Sequence, residues 1–179
     1  MVDREELIQE TEAAAEGMSE QRAAHSCLVL ALQALPGAVV ERDAWLEAGE
    51  AIENGVVLAE EIYSAIASSS DISIFEARRR SVLAQLYEVD LEEFEDSLSV
   101  MHLCIMLYQF LESGDLREAA VAIANTYLDF VDNAATMRIA AESGGVVDEA
   151  VSSPIVLASH DWSMAKLLID ALFAISIRS

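Results

Sequence analysis

A chain of 179 residues fits one domain and buries about 70% of the surface its unfolded form exposes, so its core needs no metal or disulfide. At 54% hydrophobic residues it is too apolar for disorder, and with only 7 Gly and 2 Pro it is composed mainly of helix formers. Its 32 Asp plus Glu against 10 Lys plus Arg give a formal net charge of −22, which disfavours nucleic acid and anionic membranes as partners, since both are bound through Lys and Arg.

Residues 3–16 read as a polar first helix with a Glu-rich outer face, ended by Gly17, with Ser19 as the cap of the next. That second helix spans 20–35 and carries Ala24, Leu28, Ala31, Leu32 and Leu35 as a core stripe; Pro36-Gly37 is expected to stop it. A third helix is expected over 41–53, with Ala44, Trp45, Ala48 and Ile52 inward, broken by Asn54-Gly55. A fourth covers 57–67, with Leu58, Ile62 and Tyr63 inward, before the polar connector Ser68-Ser69-Ser70-Asp71.

Capping-box patterns then recur at Ser73–Glu76, Asp90–Glu93 and Asp115–Glu118, each an acceptor followed three residues later by Glu. They predict helices over 74–88, 91–112 and 116–134. The middle one bears Phe94, Leu98, Met101, Ile105, Tyr108 and Leu111, the stripe of a central helix ended by Ser113-Gly114. Residues 133–142 continue or restart helix until Ser143-Gly144-Gly145. Residues 146–158, with Pro154, read as a loop packed on the core. A last helix over 161–175, capped by Asp161, points Leu167, Leu168, Ala171, Leu172 and Ile175 inward. With no strand-period alternation of useful length, the expected fold is a single all-α bundle of about seven to nine helices filling residues 1–179.

The chemistry-bearing residues are sparse. Cys27 and Cys104 sit inside apolar helical stretches and read as small core residues. His25 and His102 each stand two residues before one of these thiols, a spacing that tempts one toward zinc. Residues two apart on a helix point about 200° away from each other, so neither pair can face one metal, and no metal or other cofactor is expected. No histidine has Glu three residues before it, which removes the di-iron bundle pattern, and the zinc-protease, phosphate-loop and Gly-x-Ser-x-Gly motifs are missing too. Carboxylate pairs such as Glu60-Glu61 and the cluster Glu92-Glu93-Glu95-Asp96 read first as solvated helix faces. Arg78-Arg79-Arg80 reads as balance for the surrounding acid, with Glu76 four residues before Arg80. Most aromatics coincide with apolar stripes. Trp45 and Trp162 lie near helix starts beside acids, where an exposed ring would anchor a basic partner.

The acidic N-terminus Met1-Val2-Asp3-Arg4-Glu5-Glu6 lacks the layout of a signal peptide, and the apolar runs read as too short to span a bilayer, so the cytoplasm is the expected setting.

Residues 43–75 carry Trp45-Leu46-Glu47, Ile52-Glu53-Asn54-Gly55, Glu61-Ile62-Tyr63, a Ser/Asp-rich connector and Ile72-Ser73-Ile74-Phe75. This layout, under a fifth of the chain, resembles the helical immunity family numbered six of bacterial polymorphic toxin systems. The resemblance implies a small, acidic cytoplasmic protein that binds and neutralises a cognate toxin.

Charge and resemblance converge on a binding protein, not an enzyme, with a basic protein partner and with Trp45, Glu92, Glu93, Glu95 and Asp96 as candidate contacts. Three alternatives remain open. The charge serves solubility alone; the chain is a helical enzyme or small-ligand domain with an internal polar pocket near His25, His102 and Tyr108; or it is a structural module that forms a homodimer.

Overall fold

The computed structural model describes residues 3–94, 96–142 and 160–175. Among them the fold is all-α, with helices α1 (Arg4–Glu16), α2 (Glu20–Leu32), α3 (Leu35–Val40), α4 (Arg42–Ala67), α5 (Glu76–Tyr87), α6 (Leu98–Glu112), α7 (Leu116–Glu142) and α8 (His160–Phe173). Short 3-10 turns at Ser73–Phe75 and Leu91–Phe94 lead into the stretches around α5 and α6. The expected loop at 146–158 lies outside the described residues, as does Glu95.

The first two helices start where their caps dictate. The Asp3 carboxylate accepts the Glu6 amide at 2.8 Å, and Ser19 Oγ accepts that of Arg22 at 3.2 Å. Leu7, Thr11 and Ala15, each four residues apart, form the buried seam of α1. Arg4 reaches across to Asn125, Asp129 and Asp132 of α7 and so fixes α1 against that helix.

Pro36-Gly37 does not stop the chain from being helical. The turn at Gln33–Ala34 ends α2, and Pro36 lies in the first turn of α3, where its missing N–H costs nothing. Gly37 is there because α3 meets α6 closely: a Cβ at this position would stand 2.2 Å from Ser99 Oγ. The segment 20–40 is, by length and composition, long and apolar enough to cross a membrane, contrary to the expectation of interrupted runs. Here it is bent into α2 and α3, with half of its apolar window buried in the bundle.

Asn54-Gly55 does not break the next helix either; α4 runs 26 residues through it. Gly55 is a packing residue, since an added Cβ would lie 3.2 Å from Leu107 Cδ1 and 3.6 Å from Leu86 Cδ1. The absent side chain lets α4 approach α5 and α6. Beyond Ala67 the chain turns with Ser69 at φ 54°, and the Ser70 amide bonds back to the Ala65 carbonyl at 2.8 Å.

The capping boxes are realised differently from their pattern. Asp71, not Ser73, holds the turn before α5, accepting from the Ser73 amide at 2.9 Å and its hydroxyl at 2.7 Å. These bonds draw the Asp71 carboxyl below its ordinary range. Asp90 accepts the Glu92 amide at 3.1 Å, giving only the 3-10 turn, so residues 91–112 are not one helix. The α6 helix starts at Leu98 instead. Its cap comes from far away: the two Glu41 carboxylate oxygens accept the Ser99 and Val100 amides, both at 2.9 Å. Asp115 accepts the Arg117 amide at 2.9 Å, and α7 continues without a restart to Glu142.

The centre is α6, which touches α2, α3, α4, α5 and α7, while α7 carries contacts to α1 and α8. Leu103, Met106, Leu107, Phe110 and Leu111 are fully buried along it. Of the expected stripe, Leu111 is buried, as is Phe94 just before the helix, whereas Leu98, Met101, Ile105 and Tyr108 form a half-buried side. On α8 the inward face is likewise shifted. Trp162, Ala165, Ile169 and Phe173 are buried; of the expected row, Leu168, Leu172 and Ile175 are half-buried against the core, whereas Leu167 is 51% exposed and Ala171 exposed.

Candidate functional site

After Tyr87 the α5 helix ends, and Glu88-Val89-Asp90 forms a ridge between two hollows. The larger hollow is a groove of about 770 Å³. Its floor is the half-buried face of α6 at Ile105 and Tyr108, beside Leu91, and its rim carries Glu88, Asp90 and Glu92. Tyr87 stands at its edge 79% exposed, the one aromatic side chain among the described residues that is mostly in solvent. Its exposure follows from phase: Val82 and Leu86 supply the inner face of α5, and the residue after Leu86 points about 100° away.

The smaller hollow, about 400 Å³, lies across the ridge toward α4. Four carboxylates line it, Glu47 and Glu50 from α4 with Glu88 and Asp90 from the ridge, over Phe94 at its base. Among the described residues, no Lys, Arg or His lines either hollow. The nearby arginines of α5 each have a partner elsewhere, Arg78 and Arg80 in exposed ion pairs. Arg78 pairs with Glu61, and Arg80 with Glu76 at 3.4 Å. Arg79 donates to the Leu111 carbonyl and, at 2.9 Å, to that of Ser113, closing the C-terminal end of α6. The basic run thus balances acid, as its spacing suggests, and its middle member caps a helix end.

Of the candidate contacts expected from the sequence, Glu92 lies on the groove rim. Glu93 and Asp96 are exposed nearby but do not line it. Trp45 is half-buried, its ring laid over Gly49, where a Cβ would come within 2.9 Å of it. Trp162 is a core residue. Glu47, an acidic neighbour of the expected contact Trp45, lines the smaller hollow, whereas Tyr87, Glu50, Glu88 and Asp90 are not among the expected contacts; the alternation of acid and apolar residues from Tyr87 to Glu92 is the signal that marks the ridge.

The residues of the internal-pocket alternative do not meet. His25 is exposed on α2, its ring 6.0 Å from that of Tyr63. His102 is buried, its Nδ1 2.8 Å from the Leu98 carbonyl and its ring beside Phe130. Tyr108 lines the groove. Burial pushes the Cys27 and Cys104 thiols up to about 12, so both stay protonated at neutral pH. Among the described residues no three His, Cys, Asp or Glu side chains converge to hold a metal ion.

Fold and surface together define an acidic helical bundle whose grooved face presents carboxylates around apolar side chains. No protein-family model, curated protein or solved structure matches the chain.

Proposed function

We propose that this chain is a cytoplasmic, stoichiometric binding protein that captures a basic protein partner, and that the partner is a toxin domain which it neutralises in the manner of an immunity protein. The observation that carries the reading is the Glu88–Asp90 ridge, where carboxylates rim an apolar groove and line a second hollow, with no described Lys, Arg or His lining either. A surface of one sign beside low-dielectric walls focuses its field and raises the encounter rate with an oppositely charged protein. Solubility would be served as well by acids scattered over the surface. The toxin itself is drawn from the resemblance of residues 43–75, and two buried free thiols accord with a reducing compartment.

The test is affinity capture from the source cell by the tagged full chain, at low and at moderate salt. A basic protein retained at low salt and released as salt rises is the expected result. Recovery of acidic proteins, or of the chain alone, overturns the reading. Recovery of the chain alone would favour a self-associating module, which the exposed trio Val39, Val40 and Leu46 where α3 meets α4 supports.

A further inference from the structure

Resting on the reading of a basic protein partner, we infer that the docking site is the pair of hollows flanking Glu88-Val89-Asp90. Its occupant is an amphipathic basic segment of the partner protein, with apolar side chains over Ile105 and Tyr108 and an arginine or lysine between the carboxylates of the smaller hollow.

Three observations single out this occupant. The groove floor is apolar, but its rim carries Glu88, Asp90 and Glu92, so an apolar guest gains its full fit only if its flanks are cationic. The smaller hollow offers four carboxylates that are too dispersed to ligate a metal ion, yet it has about 400 Å³ of space. That suits a large organic cation on a flexible stem, and a planar guanidinium can bond two carboxylates at once. Tyr87, exposed at the mouth of the groove, is placed as the aromatic anchor that dominates such interfaces. A purely polylysine-like chain would satisfy the rim and leave the floor wet. A neutral apolar chain would desolvate the rim acids unpaired, which costs free energy. Only a segment carrying both characters meets both surfaces.

The experiment uses the full chain, isotope-labelled, titrated with a synthetic Lys/Leu amphipathic helical peptide containing one arginine. The controls are tetralysine and the same peptide with Glu for Lys. Expected is saturable one-to-one binding, with amide shift changes concentrated at 47–51, 85–92 and 104–109. Affinity should fall about tenfold or more in Glu50→Gln/Glu88→Gln, whose exposed side chains leave the fold intact, and again in Tyr87→Ala. Glu12→Gln/Glu16→Gln, on the distant α1, should change nothing. Tetralysine equalling the amphipathic peptide, or shifts spread over the whole acidic surface without saturation, would overturn this docking site while leaving the basic-partner reading standing. Binding of neither cationic peptide at low salt would overturn both.

Discussion

Replacing Glu41 should loosen the centre of the bundle from a position at its edge. This side chain stands just before α4 yet closes the N-terminus of α6, through one 2.9 Å bond from each carboxylate oxygen to the Ser99 and Val100 amides. Ser97 occupies the cap position of α6 but makes no capping bond through its side chain. In Glu41→Ala both amides lose their acceptor, and the favourable charge at the positive end of the helix dipole is lost with it. A lost N-cap costs about 0.5–2 kcal/mol, and the charge adds roughly 0.3–1 kcal/mol. The expected loss is therefore about 1–3 kcal/mol. Glu41→Gln keeps one acceptor oxygen without the charge, so it should lose roughly half as much. With a urea slope of about 2 kcal/mol/M, a loss of about 2 kcal/mol moves the unfolding midpoint by about 1 M. Equilibrium urea unfolding of the three proteins gives the order, and hydrogen exchange at Ser99 and Val100 should accelerate locally. Two variants equal to each other, and within about 0.5 kcal/mol of wild type, would refute the long-range cap.

Single residues set three further outcomes. Ser69, at φ 54°, sits where only glycine is free of Cβ strain, so Ser69→Gly should raise stability by about 1 kcal/mol in the same unfolding assay. With both thiols near 12, only about one in ten thousand is thiolate at pH 8, so alkylation of Cys27 and Cys104 in native protein should track global unfolding and show no fast phase. Burial raises the Asp132 carboxyl above its ordinary value, against the pull of Arg4 and with help from Asp129. Folding therefore favours its protonated form. Its contribution is fully present below the ordinary carboxylate value and is lost as pH rises through the shifted one. Unfolding midpoints measured against pH should show Asp132→Asn gaining on wild type through that window, then running parallel.

Much of the bundle is legible in the sequence because helices announce themselves through local chemistry. The Asp3 and Ser19 caps, the stop at Gly17 and the start of α7 after Asp115 all fall where short-range bonds put them. What escapes depends on partners distant in sequence. Gly55 is locally a helix breaker, and only the presence of Leu107 and Leu86 explains a glycine inside a continuous α4. The start of α6 is invisible locally because its cap is Glu41. Stripe assignment fails where helices are apolar on more than one side. On α6 apolar residues occupy both a buried and a half-buried side, and on α8 the expected row only flanks the deepest one at Trp162, Ala165, Ile169 and Phe173. The groove is the least legible feature, since it joins α4, the turn after α5 and one face of α6. Glu92 stands out because it belongs to an acidic cluster in sequence, whereas Glu47 and Glu50 of α4 meet Glu88 only in space.

Recognition of a partner by charge, through an uncompensated acidic face, is tested most directly by the association rate of the captured partner with the full chain as ionic strength rises. The expected result is a steep fall in the association rate with little change in dissociation, and a shallower fall in Glu88→Gln/Asp90→Asn/Glu92→Gln. An association rate indifferent to salt, or the same slope in that triple variant, would contradict it.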